Sequence, residues 1–215
     1  EGSAQVGDDR DPETEFLYGA IRQPEWLNLG GNIRLLQLYV DTPAVSQAEF
    51  IVMQADLEAA ITVRQFTLVG TLGRRDPGIV GITSPGFIDY VYSRRHYLLF
   101  QYPMESGGEL SFMAGKYQHP HGIMHSEHVV LTKKGIGWDQ NTEGYNFQAS
   151  YNGEKYGALV YGTVGRPDFK ALQIEEGGGA SGSAAFDDRY KVGLSYFYGS
   201  TDLRNMTMAS LRWGT

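Results

Sequence analysis

The stretch HPHGIMHSEH, residues 119–128, holds four of the chain's five histidines. Zinc takes three or four nitrogen or oxygen ligands, so His119, His121, His125 and His128, with Glu127 beside them, form a candidate divalent-metal set. On a helix His121, His125 and His128 would share a face at i, i+4 and i+7, but Gly122 weakens that helix. Neither HExxH nor a paired CxxC accompanies them. The set therefore suits weak, adventitious metal better than catalysis, and no resident cofactor is implied. Two other chemistries use the same imidazoles. A free imidazole titrates at about pH 6.5, so a histidine-rich pore mouth changes its charge with pH. A loop can also use its imidazoles simply to hydrogen-bond the strands around it.

Other candidate groups are ionic. Asp56, Glu58, Arg94, Arg95, Lys133, Lys134, Arg189 and Lys191 interrupt stretches that are otherwise apolar or uncharged. Enclosed in a barrel, opposed acidic and basic groups would line the lumen and bias its ion selectivity. They would equally neutralise one another in a filled interior, because small barrels are packed by their own side chains. No GxSxG elbow is present, SGSAA reads as a flexible loop, and no catalytic residue is assigned. An outer-membrane hydrolase is the enzyme-class rival, but sequence alone pairs no serine with a histidine in space.

Composition narrows the classes. The 215 residues carry a formal charge of −7 and no cysteine, and basic stretches such as TKKG and SRRH are too short to form a cluster, which argues against nucleic acid. Cysteine-free sequence excludes disulfides and thiolate sites and is compatible with an oxidising compartment. No apolar run approaches the roughly 18–20 residues of a membrane-spanning helix. The chain starts at Glu1 without methionine, as a mature or trimmed form would.

The elements that must position these groups are strands. Residues 1–15, acidic and poor in large apolar groups, read as a flexible tail, with a barrel domain over 16–215. A first strand is predicted near 32–40. In FIVMQADLEAAITV, Ile51, Met53, Ala55, Leu57, Ala59, Ile61 and Val63 alternate with Gln54, Asp56, Glu58 and Thr62, a strand period. Asn152-Gly153 predicts a two-residue hairpin turn setting Tyr151 against Glu154, Ala149 against Tyr156, Phe147 against Ala158 and Tyr145 against Val160. Tyr190, Val192, Leu194, Tyr196 and Tyr198 form another stripe, and further strands are predicted at 66–73, 88–101, 109–117, 128–134 and 205–213, about ten in all. The Gly-, Ser- and Pro-rich segments 73–86 and 165–188 read as long loops, with 74–86 and 165–185 narrowing one mouth.

Alternation alone does not say whether the apolar stripe meets lipid or a protein core. Several segments run 9–13 residues, against about 9–11 for a tilted membrane strand. Their other face is Asn, Gln, Ser, Thr and Gly, which suits a lumen better than bulk water. Tyr90, Tyr102, Tyr145, Tyr151, Tyr156, Tyr190 and Tyr198 sit toward stripe ends, where an aromatic girdle belongs. The expected fold is an all-β, antiparallel, up-and-down transmembrane β-barrel. A secreted or periplasmic soluble barrel or sandwich is the alternative.

The residues from SRRHYLLFQYPMESGG through NFQASYNGEKYGALVYGTVGRPDF, with MQADLEAAITVRQFTLVGTLGR before them, resemble Gram-negative outer-membrane porin-type barrels, deltaproteobacterial ones among them. The likeness spans about residues 50–169, about half of the chain, and rests on pattern; Gly122 and His128 fall on the glycine and histidine of a p.yGi...dH passage. It implies a bacterial outer-membrane location and passive diffusion of small polar solutes. It equally allows a non-conducting structural barrel, which in some relatives ensheathes an electron-carrying partner. Outer-membrane lipid, solutes, and another copy or a partner protein are the partners so implied. The ending LRWGT lacks the terminal aromatic of such barrels, so a longer barrel is expected.

Overall fold

The computed structural model describes residues 23–43, 46–74, 91–105, 107–121, 143–167, 174–186 and 189–214. Among them lie ten strands, β1 (Leu27–Asp41), β2 (Ser46–Val63), β3 (Phe66–Arg74), β4 (Val91–Pro103), β5 (Glu109–Tyr117), β6 (Gly144–Asn152), β7 (Tyr156–Val164), β8 (Glu176–Phe186), β9 (Tyr190–Ser200) and β10 (Asn205–Gly214). They form one sheet whose order is the chain order, an antiparallel up-and-down meander with no helix among the described residues. The sheet is open, with β1 and β10 at its two ends. The tail 1–15, the strand expected at 128–134 and residues 75–86 of one expected loop lie outside the described residues.

Contacts divide the chain into two compact units, one of Glu1–Thr62 with Gly70–Ser93, the other of Val63–Val69 with Arg94–Thr215. In the first, Leu27, Leu29 and Ile33 of β1 stand opposite Ile61, Ala59 and Ala55 of β2, while Asn32 stands opposite Asp56 and Gly30 opposite Glu58. The apolar and polar phases of the two strands thus coincide. The pairing then shifts between Arg34 and Leu35, so that Ala55 and Gln54 pair with Ile33 and Arg34 but Val52 pairs with Leu35. Met53 is the extra residue, and the strict period read through residues 51–63 is not continuous in register.

In the second unit the register holds from β4 to β10. Two sequence expectations change there. The β6–β7 turn sits two residues later than Asn152-Gly153 suggests: the Gly153 amide donates to the Tyr156 carbonyl at 2.8 Å, so Glu154-Lys155 form the tip. Ala149 consequently faces Val160 and Phe147 faces Gly162. A slip of four partner positions is even, so every side chain keeps its predicted face. Gly153 serves as a floor for the Tyr151 ring, whose hydroxyl would stand 2.6 Å from any added Cβ.

The second change is at 165–188. Instead of one long loop, Glu176–Phe186 is β8, paired to β7 from Tyr156↔Ala184 to Val164↔Glu176 and to β9 from Glu176↔Ser200 to Phe186↔Tyr190. Its run of Gly, Ser and Ala has little intrinsic strand preference. Ladders on both sides supply what propensity lacks, and the bare backbone makes room for rings from its neighbours.

The faces of this unit are inverted relative to a protein with a greasy core. Along β9, Tyr190, Val192, Leu194, Tyr196 and Tyr198 are exposed whereas Gly193, Ser195, Phe197 and Gly199 are buried. Leu194 is 62% exposed, Phe147 60% and Leu211 71%, while Asn146, Thr163 and Ser195 are 5% or less.

Candidate functional site

The buried face of β4–β10 is organised in lateral rows fixed by register. One row runs Gln101, Ser111, Ser150, Leu159, Ser181, Ser195, Ser210 across seven strands. The next along the strands is Leu99, Met113, Gln148, Tyr161, Gly179, Phe197, Met208. A third is Tyr97, Gly115, Asn146, Thr163, Gly177, Gly199, Met206. Small hydroxyls thus adjoin a bulky row, and none of the three contains Asp, Glu, Lys, Arg or His.

The bulky row is built on glycine. Gly179 lies between Tyr161 and Phe197, and an added Cβ there would overlap the Tyr161 hydroxyl. At Gly199 it would overlap Phe197 Cζ. On this floor the two rings stack with planes 2° apart and centroids 6.1 Å apart, Phe197 fully buried and Tyr161 nearly so. Leu159, Met206 and Met208 pack round them.

The chain leaving β5 folds onto these rings. The His121 amide donates to the His119 carbonyl at 3.0 Å, closing a three-residue turn centred on Pro120. Proline fits there, because its φ of about −65° is near the roughly −75° of an inverse γ-turn. Both histidines are buried, at 4% and 5% exposure. His119 meets Phe197 edge-on at 4.7 Å and Tyr161 at 5.1 Å, and His121 Nδ1 lies 3.3 Å from the Tyr161 hydroxyl, where either atom can donate. The turn caps the Tyr161–Phe197 pair.

His125, His128 and Glu127 lie outside the described residues. Among the described residues no group of three or more His, Cys, Asp or Glu could hold a metal ion.

The expected ionic lining is dispersed. Arg94 is buried and its Nε donates to Glu143 Oε1 at 3.0 Å, both side chains 7% exposed or less. A buried pair of this kind is costly to break, because either partner alone leaves an uncompensated charge. Arg95 is half-buried on β4. Glu58 accepts a 2.6 Å hydrogen bond from Thr71 Oγ1 in the first unit, where Asp56 lies opposite Asn32. Arg189 and Lys191 are exposed at the start of β9. Lys133 and Lys134 are outside the described residues.

Sequence reasoning missed Glu143, the Glu175–Arg204 pair and the Tyr161–Phe197 stack. Arg204 Nε donates to Glu175 Oε1 at 2.7 Å, and Glu175 is 1% exposed. A signal for the rings exists: Phe197 stands among Gly193, Ser195 and Gly199, and Tyr161 two residues from Thr163, each a large aromatic on the small-residue phase. Neither carboxylate carries such a mark. The chain matches no protein-family model, no characterised protein and no solved structure with which it was compared.

Proposed function

We propose that this chain forms the wall of an outer-membrane β-barrel of porin type, with a narrow interior that passes small polar solutes. The observation that carries this reading is the inversion of faces on β4–β10. Burying a Leu or Phe side chain contributes about 1.5–3 kcal/mol in water. A continuous exposed stripe from Leu98 and Phe112 through Phe147, Val160, Leu194 and Leu211 therefore calls for an apolar surrounding. Hydrocarbon supplies one.

From Tyr190 to Tyr198 the apolar phase of β9 covers eight residue steps, or ~26 Å along the strand at about 3.3 Å each, which at a barrel tilt of about 35–45° rises ~19–22 Å, most of an apolar band about 25 Å tall. Tyr102, Tyr156, Tyr190 and Tyr198 are exposed on that phase, where phenols reach headgroups. A wall in lipid also needs both sheet edges paired, since bare backbone N–H and C=O groups are costly in hydrocarbon. Closure of the sheet is therefore part of the proposal.

Heat modifiability on detergent gels tests it. A closed barrel migrates differently before and after boiling; identical migration overturns closure. A second reading, a non-conducting structural barrel that scaffolds or ensheathes a partner, is favoured by the filled interior around His119, Tyr161 and Phe197. Planar-bilayer recording of the inserted protein separates the two, stepwise current supporting the pore and silent insertion the scaffold.

A further inference from the structure

We infer that the interior behind β4–β10 selects uncharged, hydroxyl-bearing solutes of glycerol size over ions, with the serine row as its hydrogen-bonding track. This rests on the porin reading above and narrows it to a substrate class. Five serines, Ser111, Ser150, Ser181, Ser195 and Ser210, come from five strands and fall in one lateral row. Small residues alone would say little. Two further observations point to a ligand.

The first concerns unmet hydrogen-bonding capacity. Ser111 and Ser150 bond each other at 2.6 Å, but Ser195 Oγ, in a residue 5% exposed, has no partner among the described residues. The same holds for its row neighbour Ser210 Oγ, for Gln148 Oε1 in the adjoining row and for Asn146 Oδ1 in the third. Buried polar atoms are normally satisfied, and a hydroxyl-bearing guest or water is what neutral donors and acceptors of this kind can satisfy.

The second concerns charge. Within the three rows themselves there is no carboxylate, ammonium, guanidinium or imidazole; the adjoining ones include His119 and His121 over the Tyr161–Phe197 pair and Glu109, which accepts from Gln101 at the β4–β5 end of the serine row. Along the serines an ion would exchange its hydration for neutral dipoles in a confined, partly apolar space. A polyol loses only hydrogen bonds that serine and amide groups can replace. The buried ionic groups Arg94, Lys116, Glu143 and Glu175 lie outside these rows, Arg94 paired with Glu143 and Glu175 with Arg204.

The test uses the full chain in proteoliposomes, with glycerol entry followed by stopped-flow light scattering and sodium and chloride flux by bilayer conductance. Glycerol entry above protein-free vesicles with little ionic current is expected. Serine-to-alanine changes at Ser195 and Ser210 should slow glycerol roughly two- to tenfold per hydroxyl, the factor for one ordinary hydrogen bond. They remove no volume-filling group, and heat modifiability verifies that the variants still fold. Ionic current that matches or exceeds glycerol entry, or glycerol entry unchanged in S195A/S210A, overturns this inference and leaves the channel standing. An inserted, heat-modifiable protein that passes neither solute overturns the channel itself, and the inference with it.

Discussion

Phe147 and Phe197 are the same residue in the same kind of strand, each with its ring lying over a glycine, yet one is 60% exposed and the other fully buried. Phe147 covers Gly162 across the β6–β7 pair, among Ala149 and Val160 on a phase that is greasy throughout. Phe197 covers Gly199 within β9, on a phase of glycine and serine, stacked on Tyr161 and capped by His119. Hydrophobicity therefore does not decide burial in this sheet. Face does, and a large ring on the small-residue face acts as packing where the same ring on the other face acts as surface.

Replacing each ring tests this contrast most sharply. Phe197→Ala should cost about 3–5 kcal/mol, as buried Phe truncations do, read as a fall in the urea midpoint of the protein folded in detergent micelles. Phe147→Ala should cost much less, and equal losses would break the comparison. A charge on the exposed face comes next. Leu194→Arg should destabilise by about 2–4 kcal/mol in lipid vesicles if that position lies near the midplane, and an unfolding free energy unchanged from wild type would show that the stripe does not meet hydrocarbon.

The glycine floors sharpen the distinction. Gly162→Ala forces a methyl into Phe147 Cζ and should cost about 1–3 kcal/mol by overpacking. The double change with Phe147→Ala should recover part of that, because the three atoms nearest the new Cβ all belong to the Phe147 ring. Gly179→Ala should not be rescued by Tyr161→Ala, because Tyr196's carbonyl oxygen would still stand 2.5 Å from the new Cβ. Smallest is Ser111→Ala, about 1 kcal/mol for one hydrogen bond, with Ser150→Ala adding little once its partner is gone.

The β1–β2 hairpin marks where alternation stops being a guide. Up to Arg34 its two phases match across the strands, but past the register shift Leu35, Leu36, Leu38, Tyr39 and Val40 are all exposed, on both phases. Sequence shows seven alternating apolar positions from Ile51 to Val63 and no sign of the bulge, because Met53 fits the pattern whether or not it is paired. From β4 to β10 the same reasoning succeeds because register is continuous and each phase is chemically distinct.

The side on which Phe147, Val160 or Leu194 falls was thus legible from residue periodicity alone, since along a strand without a bulge a side chain's face depends only on its position modulo two. The turn at Glu154-Lys155 and the strand Glu176–Phe186 were not, because a ring over Gly153 and ladders on both flanks of a glycine-rich segment are contacts between residues distant along the chain or set by packing. The histidines show the same division. Sequence offered His119 and His121 as imidazoles of a loop, but only the fold set them on Tyr161 and Phe197, because it takes three strands and two glycines to bring those rings together beneath them.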